Sequence, residues 1–313
     1  VDLFVVETMM SLAETRAAVI AIKEVCDLPV IASLTFQEDG RTLYGTDPVT
    51  AVVVLQSIGA DVIGVNCSTG PKEMIPVIRK MKEYAEVPLL AKPNAGLPVL
   101  QDGVTVYPML PEEFASWGPE FIEAGAGLIG GCCGTTPEHI RMLSQKVAGL
   151  TTKAPHNEHP VMLASERKSQ EIALDGKFLV IGERINPTGK KKLQEELRAG
   201  KMNLVEEMAE QQEEMGAHIL DINMGTNGID EKEMMTDVVS SLQSITSLPL
   251  QIDTVNAEAM EAAMRLYNGK PMINSVNGKQ ESMDQVFPLI QKYGGVVVGL
   301  TLDENGIPDT AEG

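Results

Sequence analysis

The chain has 313 residues, 43% of them hydrophobic, and a formal net charge of −19 from 44 acidic against 25 basic residues. That length is enough for two domains, each with a sizeable core. The acidic balance argues against nucleic acid and anionic membranes as partners, because phosphate-rich surfaces recruit basic stripes. No apolar run reaches the ~20 residues of a membrane-spanning helix, and four cysteines without framework spacing suit a reducing, cytoplasmic setting better than a secreted disulfide scaffold.

Strand and helix signals alternate from the first residues. Strands are expected at 3–6, 30–34, 62–66, 89–92 and 128–131, with amphipathic helical patterns at 12–26, 48–58, 72–84, 111–124 and 137–146 between and after them. Apolar runs alternating with helices predict a parallel α/β sheet. Single βα units favour a barrel over a dinucleotide fold, since no Gly-x-Gly-x-x-Gly follows the first strand. Residues 1–150 read as one domain and 151–176 as a linker with two histidines, His156 and His159, that read as solvated. The second domain, 177–313, has strands at 178–182, 219–222, 250–252, 272–275 and 296–302. Its helices are expected at 193–215, with a break at Ala199–Gly200, and at 232–244, 257–265 and 283–293. The chain starts on a strand and stops on a loop after one, so it is expected to begin and end inside domains.

Two stretches carry chemistry in the first half. Gly130-Gly131-Cys132-Cys133-Gly134-Thr135-Thr136-Pro137 is a glycine-flexible turn between a strand and a helix start. Val65-Asn66-Cys67-Ser68-Thr69-Gly70-Pro71 is a matching turn. In parallel α/β proteins such turns lie at the carboxyl edge of the sheet, where ligands bind. Three thiols at two such turns form a candidate soft-metal site, with zinc the first metal to consider. Free cysteines are also common core residues, and Cys26, within a helical pattern, reads as one.

In the second half polar residues collect after successive strands, in Glu183-Arg184-Ile185-Asn186-Pro187, Asp221-Ile222-Asn223, Asp253-Thr254-Val255-Asn256 and Asn274-Ser275-Val276-Asn277. Carboxylates and amides converging on one rim suit a flat hydrogen-bonding heterocycle, and a pterin offers adjacent N–H donors to a carboxylate. Asn256 also reads as a helix N-cap. Lys190-Lys191-Lys192 reads either as a site for an anionic tail or as a solvated helix start.

The Asn66-Cys67 and Gly130–Gly134 motifs resemble those of homocysteine S-methyltransferases. Ile181–Gly189, Leu220–Asn223 and Asp253–Ala259 resemble pterin-binding methyltransferase domains. The two in this order resemble the N-terminal half of cobalamin-dependent methionine synthases. The resemblance implies two consecutive (β/α)8 TIM-type barrels, each incomplete in this chain: the end of the first and the beginning of the second. It implies zinc on Cys67, Cys132 and Cys133, and homocysteine bound with Glu7 at its amino group and Asn94 in the pocket wall. It implies methyltetrahydrofolate contacts from Asn186, Asp221, Asn223, Asp253, Asn256, Asn274 and Asp303. The implied reaction takes a methyl group from 5-methyltetrahydrofolate through cobalamin, bound by a domain outside this chain, to zinc-activated homocysteine. Cobalamin-binding and reactivation modules are the implied partners. Another corrinoid-dependent thiol methyltransferase, and a non-catalytic fragment, remain as alternatives.

Overall fold

The computed structural model describes residues 1–155 and 160–310, so His156 and His159 lie outside the described residues. The chain divides into two compact units, Val1–His159 and Pro160–Gly313.

The first unit runs β1 (Phe4–Met9), α1 (Leu12–Val25), β2 (Val30–Leu34), α2 (Pro48–Ser57), β3 (Val62–Asn66), α3 (Pro71–Lys82) and β4 (Leu89–Lys92). It continues with the hairpin β5 (Val99–Gln101) and β6 (Val104–Val106), then α4 (Pro111–Ser116), α5 (Gly118–Ala124), β7 (Ala126–Ile129) and α6 (Pro137–Val147). Five strands pair in parallel in the order β1-β2-β3-β4-β7. Ala32, Leu34, Ile63, Val65, Leu89 and Ala91 are buried on one face of the central strands, and Ser33 and Leu90 on the other. The helix starts are written in the sequence. Ser11 accepts from the Glu14 amide, and Asp47 from the Thr50 amide with Pro48 opening the helix behind it. Thr136 and His139 form a reciprocal capping box at α6.

The second unit opens with the antiparallel hairpin β8 (Val161–Ala164) and β9 (Ser169–Ile172). Then come β10 (Ile181–Ile185), α7 (Lys191–Arg198), α8 (Asn203–Glu214), β11 (Ile219–Ile222), α9 (Glu231–Ile245) and β12 (Leu250–Asp253). α10 (Ala257–Leu266), β13 (Met272–Asn277), α11 (Gln280–Tyr293) and β14 (Val296–Leu300) follow. Its sheet is again five parallel strands, in the order β10-β11-β12-β13-β14. Among the described residues neither sheet closes: β1, β7, β10 and β14 each have a sheet partner on one side only. The expected parallel α/β architecture is present in both units, as sheets flanked by helices.

Four expectations change. The 151–176 linker contains the β8–β9 hairpin, which belongs to the second unit. Leu163 and Ile172 pack on Ile219, Met272 and Val296, the first residues of three strands, so the hairpin seals the amino end of that sheet. The strand expected at 178–182 lies three residues later, which carries Glu183 and Arg184 into β10 instead of the loop after it. β7 lies two residues earlier than expected, leaving Gly130 and Gly131 in the turn. The helix expected over 111–124 divides at Trp117, where Pro119 has no N–H to offer the carbonyl of Ala115. The break at Ala199–Gly200 is present, with Gly200 at φ +66°. Among the described residues no helix is long and apolar enough to cross a membrane.

Tyr267, fully buried at the end of α10, links the hairpin to the sheet. Its hydroxyl accepts from the Leu250 amide (3.1 Å) and donates to the Ala164 carbonyl (3.0 Å). Tyr267→Phe removes the Leu250 amide's hydroxyl acceptor, while the Ala164 carbonyl keeps the Lys270 amide (2.8 Å), and the expected loss of unfolding free energy in the second unit is about 1–3 kcal/mol by urea titration.

Candidate functional site

The first site is built on β3. Asn66 ends that strand with its side chain wholly buried at 0% exposure. Its Oδ1 accepts from the Thr8 amide (2.8 Å) and the Ser33 hydroxyl (2.6 Å). Its Nδ2 donates to Thr8 Oγ1 (2.8 Å) and to Cys132 Sγ (3.8 Å). One amide thus connects the ends of β1 and β2 to the turn after β7. Beyond it the chain turns through Cys67 and Ser68 at φ +63° and +64°, and Thr8 lies at +62°. Non-glycine residues in this region cost about 1–3 kcal/mol each and persist where surrounding structure imposes them.

These turns bring the thiols together. Cys67 Sγ and Cys133 Sγ are 3.7 Å apart, and the Sγ atoms of Cys67, Cys132 and Cys133 all lie within 4.8 Å of one another. A tetrahedral zinc site with bonds of about 2.3 Å has ligand–ligand edges of about 3.8 Å, so the cluster fits that metal. The turn is fixed from β4: the Cys67 amide donates to the Lys92 carbonyl (3.1 Å), the Cys132 amide to the Pro93 carbonyl (2.9 Å) and the Cys133 amide to Asn94 Oδ1 (3.1 Å). Burial pushes the Cys67 thiol up to about 11, and the neighbouring thiols add to the rise. Burial also acts upward on Cys133, but hydrogen bonds from Tyr107, Cys67, Cys132 and its own backbone outweigh it and hold the thiol below its ordinary value. Gly134, at φ +78°, lies so close to Tyr107 that a Cβ there would be 2.3 Å from the tyrosine Cβ.

The second site occupies the carboxyl end of the other sheet. Register pairs Asp221 with Gln251 and Asp253 with Asn274, and alternation sets Asp221 on the same face as Ile219, above the hairpin. Ile181, Glu183, Asp221, Gln251 and Asn274 line a cavity of about 290 Å³. Asp221 is 1% exposed. Gln251 Nε2 donates to Asp221 Oδ1, while Asp221 Oδ2 and Gln251 Oε1 have no hydrogen-bond partner among the described residues. Two buried acceptors without a partner among the described residues, on side chains that line one cavity, suit a ligand with neighbouring N–H donors. Burial raises the Asp221 carboxyl to about 6; Gln251 opposes the rise, and the charges of Asp253 and Glu183 reinforce it.

The remaining expected residues divide. Asn223 donates to Asp253 Oδ2 (2.9 Å) and accepts from the Gly225 amide (3.0 Å), so it orients Asp253 at the rim. Asn256 accepts from the Glu258 and Ala259 amides and caps α10. Asn186 accepts from the Thr188 amide, and Asp303 from the Asn305 amide; none of these four lines the Asp221 cavity. Asn94 serves as a brace for the Cys133 amide. Lys190, from the basic triplet, donates to the Arg184 and Asn186 carbonyls (3.0 Å each). Sequence reasoning did not single out Gln251, Lys92 or Tyr107. For Tyr107 a signal exists in Asp102-Gly103 between Val99-Leu100 and Val104, which marks the hairpin that delivers it.

Comparison with known proteins places both halves. Residues 1–147 match the homocysteine S-methyltransferase family and residues 182–312 the pterin binding enzyme family, so each half of the chain is similar to a different family. Over nearly its whole length the chain is also similar to methionine synthases. It is 34% identical over 322 aligned residues to the methionine synthase of Mycobacterium tuberculosis (strain ATCC 25618 / H37Rv), covering 99% of this chain and 27% of that protein. It is 33% identical over 330 aligned residues to the methionine synthase of Mycobacterium leprae (strain TN), with the same coverage of each chain. The chain thus spans about a quarter of the length of these relatives. Among solved structures, the homocysteine methyltransferase MmuM from Escherichia coli aligns in its apo form at 24% identity and TM-score 0.38, over 46% of this chain and 49% of that one. Its metallated form aligns at 25% identity and TM-score 0.39, over 46% and 45%.

The Asp221 geometry sets a pH dependence. A carboxyl raised from 3.8 to about 6 binds its proton more tightly in the folded state, so stability falls as pH rises through that window. The burial penalty is fully present above about pH 6 and relieved by about pH 4. Asp221→Asn is expected to stabilise the second unit by up to about 3 kcal/mol at pH 7–8. Urea midpoints of the two proteins at pH 8 and pH 4 should show that advantage disappear in acid.

Proposed function

We propose that this chain holds the two substrate-binding modules of an enzyme that transfers a methyl group from 5-methyltetrahydrofolate to homocysteine, giving methionine and tetrahydrofolate. The observation carrying the proposal is the three-thiol cluster at one sheet edge, followed along the chain by a carboxylate-and-amide cavity at the matching edge of a second sheet. Cys67, Cys132 and Cys133 would hold zinc. The metal supplies a substrate thiol that is deprotonated at neutral pH, where a free thiol is only a few per cent thiolate. Cobalamin is the methyl carrier in this reading and is held by a segment outside this chain; the complete barrels belong to the longer protein too.

The chain's own residues do the positioning. Asn66 fixes the end of β1 against Cys132, which sets Glu7 beside the thiols as the acceptor for the substrate ammonium. The Lys92 carbonyl holds the Cys67 turn and the Asn94 side chain holds the Cys133 amide. In the second unit Asp221 Oδ2 and Gln251 Oε1 accept the adjacent N–H groups of the pterin, and Asn274 and Asp253 take the mixed donors and acceptors beyond. The alternative of a piece that binds zinc or folate poorly draws support from the two open sheets, whose outer strands lack a second partner.

Metal analysis separates these. The purified chain is expected to carry about one zinc per molecule, and Cys67→Ser or Cys132→Ser to lose most of it. Zinc content unchanged by either substitution overturns the site. Calorimetry with 5-methyltetrahydrofolate provides the parallel check, with Asp221→Ala expected to weaken binding at least tenfold.

A further inference from the structure

The contact between Glu7 and Lys92 differs from two other ion pairs of the first unit. Lys23–Asp61 and Arg141–Glu138 hold helices at the periphery. Glu7 and Lys92 come from β1 and β4, strands separated in the sheet by β2 and β3. Adjacent strands are about 4.8 Å apart, so only two long side chains reaching across the same face can meet over that span. They do so at the carboxyl ends of the strands, beside the thiols.

Lys92 is bound into both thiol-bearing turns. Its carbonyl accepts from the Cys67 amide at 3.1 Å. Its aliphatic stem lies along Gly130, where a Cβ would approach Lys92 Cγ to 3.2 Å and Cδ to 3.4 Å. Gly130 precedes Cys132 by two residues, so any side chain there would displace the lysine. The head group remains accessible: the side chains of Lys92 and Glu7 are 24% and 43% exposed. An ion pair so open to water is weak, and opening it costs little.

We infer that Lys92 is a specificity-determining residue, which releases Glu7 when substrate arrives and receives the α-carboxylate of the incoming thiol amino acid. The assignment rests on the reading of the three-thiol cluster as a homocysteine site. One protein ion pair is exchanged for two protein–substrate pairs, Glu7 with the ammonium and Lys92 with the carboxylate. No charge is left uncompensated, and a ligand lacking either group leaves one partner unmatched. The site therefore selects zwitterionic thiols over simple ones, and the ion pair occupies the amino-acid end of the pocket in its absence.

The test uses the zinc-loaded chain and calorimetric titration with three thiols: L-homocysteine, 3-aminopropane-1-thiol, which lacks the carboxylate, and 4-sulfanylbutanoate, which lacks the amine. Lys92→Met is expected to weaken homocysteine and 4-sulfanylbutanoate binding at least tenfold and leave 3-aminopropane-1-thiol unchanged or tighter. Lys92→Arg should restore most of the loss. Zinc content, measured on each variant, should remain at the parent level; if Lys92→Met loses zinc, Lys92→Gln, which keeps the stem, carries the same expectations. Equal weakening of all three thiols, or homocysteine binding unaffected by Lys92→Met, overturns the assignment alone. Failure of the zinc-loaded parent chain to bind any of the three overturns the homocysteine site and the assignment with it.

Discussion

The first unit depends on a buried amide. Asn66 is removed from water, which is unfavourable for a group with two donor hydrogens and a two-lone-pair acceptor unless partners are supplied. Here β1, β2 and the turn after β7 supply four of them. The constraint is reciprocal: the amide is tolerable only if those strand ends converge, and they converge only if it is present. Cys67 follows as the next residue, and left-handed backbone at Cys67 and Ser68 turns the thiol toward the pair from β7. The strain is located where a cluster of sulfurs has to be assembled, and the interlocked hydrogen bonds hold it there.

Both units use the same scaffold for opposite chemistries. A parallel sheet presents its strand ends and the following turns on one edge, so side chains distant in sequence meet without long loops. In the first unit that edge gathers soft thiols, with main-chain groups of β4 fixing both turns. In the second it gathers hard oxygens, where burial raises the Asp221 carboxyl and the like charges of Asp253 and Glu183 add to the rise. The β8–β9 hairpin seals the amino end of the second sheet with apolar side chains, leaving the carboxyl end as the open end for a ligand. Thiols suit metal and sulfur, while carboxylate and amide acceptors suit a nitrogen heterocycle.

The elements best read from sequence were those whose signals are local. Strands β2, β3 and β4 fall where their apolar runs predict, and α2 and α6 begin where an acceptor side chain precedes a proline. Reading was poorer where packing decides. The extent of β10 is set by Ile185 entering the core and by Gly182 closing on Gln212, and neither contact is visible in the stretch itself. The β8–β9 hairpin is short and flanked by polar residues, so it resembles a linker until Leu163 and Ile172 find the ends of three distant strands. Asn256 satisfies two patterns in sequence, strand-end polar and N-cap, and only its hydrogen bonds to the α10 amides separate them.

By itself the sequence determined the alternation of strand and helix, the parallel sheets and the location of three cysteines and a series of carboxylates and amides after strands. Those follow from periodicity, capping and turn chemistry, which act over a few residues. Tertiary structure alone decided that Cys67 meets Cys132 and Cys133, that Gln251 stands against Asp221 beside a cavity, and that Lys92 crosses two strands to Glu7. Each of these depends on strand order and register, and thus on contacts between residues 30 or more positions apart, which no local pattern encodes.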